Sequence, residues 1–257
     1  MSFGINLHKK DQELLEQIQV YFNYIGVIAD RERNVIKFTV TSLVDLDVIM
    51  NHFYQYPLIT QKLADYVLFK QVFDLVKCKK HLTQEGFKEI LSIKTNMNKE
   101  LNDELKGAFP DTIPVPRPLV VNQVIENLDW LAGFISAEGC FRIKVSKSNT
   151  HKLGYFIGLR FFITQHVRDE ELLGNLKNYF GCGEYVQRKD QLAGDFHVNK
   201  LSDIIEKVIP LLRKYPIQGV KALGFENFCQ AAELIRNGKH LTVKGSELIF
   251  KLKENKV

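Results

Sequence analysis

The sequence predicts an α+β protein built from two copies of one αββαββα-like plan, with the first copy shortened at its start. Three observations carry that expectation. A stretch near the N-terminus recurs in the second half at a fixed spacing, each copy passes between period-two and helical hydrophobic patterns, and a proline-rich segment lies between the copies.

The repeat is direct. Leu7-His8-Lys9-Lys10-Asp11-Gln12-Glu13-Leu14-Leu15 runs parallel to Gln165-His166-Val167-Arg168-Asp169-Glu170-Glu171-Leu172-Leu173 at an offset of 158, and Tyr21-Phe22 answers Tyr179-Phe180. Further along, Tyr56-Pro57-Leu58 answers Tyr215-Pro216-Ile217, Lys62 answers Lys221, and His81-Leu82-Thr83 answers His240-Leu241-Thr242, now at 159. One small insertion or deletion in about 80 residues accounts for the change.

Within each copy an alternating strand leads into a helix with Asp11 or Asp169 near its start, where an acid complements the helix dipole. A strand pair follows around Val27–Thr41 and Tyr185–Val198, broken by the polar turns Arg31-Glu32-Arg33-Asn34 and Arg188-Lys189-Asp190-Gln191. A helix ending at Tyr-Pro comes next, then another after the proline, and a last helix opens at Thr83 or Thr242, each suited to cap it. Pro110, Pro114, Pro116 and Pro118 make the intervening segment an extended connection. The expected organisation is therefore residues 1–95, a linker at 96–127, and residues 128–257.

Composition excludes several classes. Hydrophobic residues make up 45% and charged residues 25% of the 257, and glycine plus proline number 23, so disorder and collagen-like chains fall away. No apolar run reaches the roughly 18 residues of a membrane helix, and no secretory signal is visible, so a reducing compartment is the default. The four cysteines form no C-x-x-C pair and read as buried thiols, and the seven histidines as core or surface residues. There is no G-x-x-x-x-G-K-[ST], H-E-x-x-H or G-x-S-x-G, and Gly181-Cys182-Gly183 is a turn. The net charge of +5 belongs to the second half, where 20 basic residues face 14 acidic ones, against 15 and 16 in residues 1–127. Arg142 to Arg160 holds five basic residues and no acid, a stretch suited to phosphate.

Directly after the linker stands Asp129-Trp130-Leu131-Ala132-Gly133-Phe134-Ile135-Ser136-Ala137-Glu138-Gly139-Cys140-Phe141. Leu131, Phe134 and Ile135 share one side of a short helix, while Ala132, Gly133 and Ala137 leave it narrow enough for close approach to a second helix. Glu138 falls at its end, and Gly139 turns the chain into a strand.

Leu131 to Gly139 resembles the signature of the LAGLIDADG homing endonucleases, and the duplicated plan is similar to their single-chain, two-copy members across nearly the whole chain. The resemblance implies tandem half-domains forming a saddle of antiparallel β-ribbons about a pseudo-twofold axis, lying on double-stranded DNA with a long target site. It implies a site-specific, metal-dependent endonuclease in which Glu138 binds a divalent cation, Mg²⁺ or a substitute such as Mn²⁺ or Ca²⁺. Lys221, and Lys62 as its counterpart, fall where the family places a basic residue beside the scissile phosphate. Gln165 matches a position that holds water near the metal, where the first half has Leu7. Expected DNA contacts are Arg142, Lys144, Ser146 and Lys147, Arg160 and Thr164, Tyr185, Gln187 and Lys189, with Arg31, Arg33 and Lys37 in the first half. An organellar location, the mitochondrion first, follows from the intron-borne habit of such frames. The alternatives are an intron maturase, with RNA as the partner, and a DNA-binding remnant without catalysis.

The sequence departs from the family in two places. Subtracting the repeat offset from Glu138 puts the equivalent acid before Met1, so the first half is expected to lack its motif helix and first strand. A chain of this kind should nick DNA at most, and its bare motif helix should lead to self-association, to poor solubility or to pairing with a complementing segment from elsewhere, where a complete chain would be monomeric. Ser136 replaces the motif's more frequent Asp, with little effect expected.

Overall fold

The computed structural model describes residues 1–97 and 101–255; residues 98–100 and 256–257, which belong to the expected linker and second half, lie outside the described residues. The chain divides into two compact units, Met1–Asn122 and Gln123–Val257. Among the described residues no helix is long and apolar enough to cross a membrane.

In the first unit, β1 (Phe3–His8), β2 (Val27–Arg31) and β3 (Val35–Val40) form an antiparallel sheet in the order β1-β3-β2. Alternation decides its sides: Ile36, Phe38 and Val40 are buried, whereas Lys37 and Thr39 point the other way. Four helices follow the repeat plan, α1 (Gln12–Tyr21), α2 (Leu43–Gln55), α3 (Lys62–Lys77) and α4 (Gln84–Lys94). Leu15, Leu46, Ile49, Met50 and Phe73 from these helices close over the buried side of the sheet.

The connecting segment differs from its expected extended form. A short helix, α5 (Asp103–Ala108), precedes the prolines, because Asn102 Oδ1 accepts from Leu105 N (3.0 Å) and two acids occupy the first turn. Beyond it Arg117 anchors the chain to the first unit, donating to Asp65 (2.8 Å), Asn96 O (2.8 Å) and Gln61 O (3.2 Å).

The second unit opens with α6 (Leu128–Glu138), β4 (Gly139–Lys147) and β5 (Tyr155–His166), continues with α7 (Glu170–Phe180), and adds β6 (Glu184–Gln187) and β7 (Ala193–Val198). Its sheet has four antiparallel strands in the order β4-β5-β7-β6. The ladders agree with the repeat, since Phe3 pairs with Val40 as Phe161 pairs with Val198, and among the described residues of the first unit β4 and α6 have no counterpart. Phe141, Phe161, Phe180 and Phe196 form a run of ring contacts 5.2–5.7 Å apart under the helices. Gln123 is buried at the start of this unit, donating through Nε2 to Asp169 (2.7 Å) and accepting from Leu172 N (3.2 Å).

The one-residue insertion is visible. Where α2 is a single helix, the second unit has α8 (Leu201–Asp203), a π-helical stretch Ile204–Val208, and α9 (Ile209–Lys214). Ile204 and Val208 are both buried, as are Leu46 and Ile49, so the wider turn absorbs one extra residue while returning the next apolar side chain to the core. Helices α10 (Lys221–Arg236) and α11 (Val243–Glu254) complete the unit.

Both copies cap their last helix alike. Thr83 Oγ1 accepts from Gly86 N and Thr242 Oγ1 from Gly245 N, each at 3.1 Å. The preceding turn presses so closely that a Cβ at either glycine would overlap the carbonyl of Lys80 or Lys239. Of the four cysteines, Cys182 and Cys229 are buried, Cys140 is half-buried, and Cys78 is exposed because it caps the end of α3 instead of facing the core. Gly86→Ala and Gly245→Ala are each expected to lower the unfolding free energy by about 1–3 kcal/mol, measured by chemical denaturation, because the obstructing atoms belong to the backbone.

Candidate active site and nucleic-acid interface

Helix α6 begins where Asn127 Oδ1 accepts from Asp129 N (2.7 Å). Leu131, Ala132 and Ile135 are buried, and Trp130 stacks on Phe134 one turn on (5.0 Å), which leaves Phe134 half-exposed at the edge of the expected core side. Gly133 and Ala137 are exposed. The helix stops because Gly139 is extended (φ −67°, ψ 147°) and already pairs with Ile163 in the sheet. A Cβ there would meet Ile135 at 2.6–2.7 Å, so only glycine lets strand follow helix without a spacer.

Glu138 is thus the last helical residue, and it is exposed. Its surroundings are fixed by three bonds. Ser136 Oγ donates to Ala132 O (2.7 Å) and accepts from Gln218 N (2.9 Å), and Lys221 Nζ donates to Ala137 O (2.7 Å). Lys221, the first residue of α10, is therefore held one residue from Glu138 along α6. A carboxylate at a helix C-terminus lies against the partial negative charge of the free carbonyls, an arrangement that a nearby cation relieves. Ser136, expected to matter little, forms half of this tie.

Gln165 lies on β5 two residues past Ile163, the partner of Gly139, and is half-buried opposite Gly194. Lys62 opens α3 in the first unit as Lys221 opens α10, and is exposed. Among the described residues no group of three or more His, Cys, Asp or Glu side chains could hold a metal ion. The exposed carboxylate of Glu138 is a hard oxygen donor, the kind that suits a hard divalent cation.

The sheet side turned away from the helices carries much of the expected contact surface. On β4, Arg142, Lys144 and Ser146 alternate with Phe141, Ile143 and Val145, and on β5 Arg160, Phe162 and Thr164 alternate with buried Leu159, Phe161 and Ile163. Arg142 and Arg160 face each other across the ladder and both lie over the Phe162 ring, at 5.0 and 5.1 Å. Lys144 lies over Phe156 at 5.7 Å. Lys147 is exposed at the end of β4, on the alternation of Val145. In the first unit Arg31 and Lys37 share the open side, and Arg33 sits in the β2–β3 turn with φ 60°.

Tyr185 and Gln187 require correction. Tyr185 pairs with fully buried Phe196 and Gln187 with Gly194, so both belong to the helix-covered side, and Glu184 and Val186 take the open one. The Tyr185 ring fills the space above Gly194, where a Cβ would overlap it, and burial followed by the nearby Glu170 and Asp195 charges pushes its phenol up. Lys189 is exposed in the turn. A one-residue change in register inverts a strand, and here loop length and the Tyr185–Gly194 fit set it.

Sequence reading missed Asp195. Its Oδ1 accepts from Thr164 Oγ1 (2.5 Å) and Arg188 Nη2 (2.7 Å), its Oδ2 accepts from Arg188 Nε (3.0 Å), and Arg160 Nη2 is 3.9 Å away. Burial pushes this carboxyl up, but the bonds from Arg188 and Thr164 and the two guanidinium charges outweigh it and hold the group below its ordinary value. An acid alternating with Gly194 and Phe196 was the available signal.

The comparisons can be set beside this geometry. The model of the LAGLIDADG endonuclease family matches residues 1–73 and 131–232, reaching into both units. The chain belongs to the LAGLIDADG endonuclease family. "Probable intron-encoded endonuclease 2" of Neurospora crassa is 40% identical over 98% of the chain and 57% of its own length, and "Probable intron-encoded endonuclease 3" of the same fungus is 38% identical over 95% and 46%. The chain thus spans about half the length of these curated relatives. The crystal structure of the LAGLIDADG homing endonuclease I-SmaMI bound to cleaved DNA is similar at a TM-score of 0.96 and 38% identity, over 98% of this chain and 84% of that one. I-GzeII in complex with its DNA target gives 0.93 and 38%, over 100% and 88%. The two antiparallel sheets and their helices match this LAGLIDADG fold.

Two outcomes are expected. Ser136→Ala should lower the unfolding free energy by about 1 kcal/mol in urea titrations, since it removes the bond from Gln218 N. A carboxyl held low in the folded state stabilises it above the unfolded value near pH 4 and loses that contribution as pH falls through the lowered value. Asp195→Asn should therefore show a shallower loss of stability on acidification below about pH 4 than the parent protein.

Proposed function

We propose that this chain is the DNA-cleaving part of a site-specific homing endonuclease that hydrolyses phosphodiester bonds of duplex DNA with a divalent cation. The observation that carries the reading is the placement of Glu138 and Lys221 at the carbonyl end of α6, on the unit whose sheet presents Arg142, Lys144 and Arg160.

Glu138 would hold the ion, and Mg²⁺ fits its hard oxygen donor, with Mn²⁺ and Ca²⁺ as substitutes. When bound, such an ion supplies a more acidic water and charge compensation at the phosphate oxygens. The ammonium of Lys221, fixed by Ala137 O, offsets the negative charge that develops on the phosphate being attacked. Gln165 can hold the attacking water by its amide, and Lys62 would act in the first unit as Lys221 does in the second. The cations of the open sheet sides, Arg31 and Lys37 included, bind the duplex by neutralising phosphate and reading base edges.

Relatives support this reading. I-SmaMI has been solved on an uncleaved DNA target with calcium ions. It has also been solved with two lysines changed to alanine, which are as many positions apart in that chain as Lys62 and Lys221 are here. The intron-encoded names of the relatives, with one similar protein in ND4 intron 1 of Podospora anserina, support an organellar, mitochondrial setting.

Purified protein is expected to bind a target duplex in calcium, with intron RNA competing poorly in filter binding, and to cut DNA on addition of magnesium. Glu138→Gln should abolish cutting while binding in calcium persists, and Lys221→Ala should slow single-turnover cleavage by about 10²- to 10³-fold. Cleavage by Glu138→Gln at the parental rate would overturn the assignment.

A further inference from the structure

Asp195, like Glu184, is an acid on the sheet side that presents Arg142, Lys144 and Arg160. Its two oxygens are occupied by Thr164 and by a two-point bond from Arg188, whose Nη2 also donates to Thr164 Oγ1 at 3.0 Å. Asp195 is therefore not itself free to read a base. Arg160 is different: among the described residues no hydrogen bond holds its guanidinium and none reaches its buried Nε, Asp195 lies 3.9 Å from Nη2, and the Phe162 ring lies beneath at 5.1 Å. Directly across the ladder stands Arg142, a like charge that pushes Arg160 away from itself.

The repeat shows that this cluster belongs to one unit. In the first unit the position between Asn6 and Ala29 on the ladder is Lys37, where the second has Asp195 between Thr164 and Val186. Arg31 takes the place of Arg188, and the position of Arg160 falls on Ser2. One equivalent place on the two sheets, Lys37 against Asp195, thus differs in the sign of its charge.

We propose that Asp195 is a positioning residue for base recognition, which, clamped by Arg188 and Thr164, holds the Arg160 guanidinium on Phe162 so that its Nη N–H groups read one guanine in the major groove. The acid turns a mobile phosphate-binding cation into an oriented base reader, because it cancels part of the charge and repels phosphate at that point. The inference rests on the duplex-binding reading above, and it makes the two half-sites chemically unlike at that base pair.

The test is binding of the purified chain, in calcium at two salt concentrations, to target duplexes varied one base pair at a time. The parent protein is expected to show a guanine preference at one position in the half-site facing the second unit. Asp195→Asn should cut that preference about tenfold, leave the other positions nearly unchanged, and steepen the salt dependence. Arg160→Ala, which leaves the Arg188–Asp195–Thr164 bonds in place, should erase the same preference, and Arg160→Lys should not keep it, because an ammonium lacks the fork. Should Asp195→Asn fail to fold, the two Arg160 variants decide. An unchanged profile, an equal loss at every position, or a preference retained by Arg160→Lys would overturn the proposal while leaving the endonuclease reading intact. Indifference of the parent protein to sequence would sink both.

Discussion

The bond from Lys221 Nζ to Ala137 O, with the Ser136 bridge to Gln218, fixes the relation between the end of α6 and the start of α10. The catalytic chemistry proposed for the second unit depends on that relation. Glu138 gains its exposure because α6 stops at Gly139, and Gly139 stops it because the strand begins there with no room for a Cβ. A carboxylate at the negative end of a helix is an unfavourable placement by itself. In the proposed function a bound cation would relieve it, and the ammonium of Lys221 is held on the neighbouring Ala137 carbonyl.

The two units show how one scaffold carries different surfaces. Their buried positions correspond closely: Ile36, Phe38 and Val40 match Gly194, Phe196 and Val198, with the exchange of Ile36 for Gly194 compensated by Tyr185. The open sides follow no such constraint. Lys37 and Asp195 occupy equivalent places with opposite charge, because a solvent-facing strand position must satisfy its partners but need not fill a fixed volume. Recognition can diverge between halves while packing stays the same.

Insertions are handled where they cost least. The extra residue of the second copy lies in the π-helical turn Ile204–Val208, which leaves the buried spacing of the flanking apolar residues in phase with α2. In the β6–β7 connection the added length is taken by the turn, and there it shifts the register of β6 relative to what the repeat offset implies. The same kind of change is silent in one element and inverts side-chain direction in another.

Much of this was legible in the amino acids. The repeat, the strand and helix order, the caps at Thr83 and Thr242, the motif ending at Glu138 and the open-side residues Arg142, Lys144 and Arg160 all follow from local pattern, since periodicity and capping act over a few residues. The helix at Asp103–Ala108 was equally local but was masked by the prolines beyond it. What only the tertiary structure decided were matters of long-range register and contact: which way Tyr185 and Gln187 face, that Gln218 and Lys221 meet the end of α6 from more than eighty residues away, and that Asp195 gathers Thr164, Arg188 and Arg160. Pairing between strands is set by the whole sheet and its turns, and a sequence read along one strand carries only its alternation.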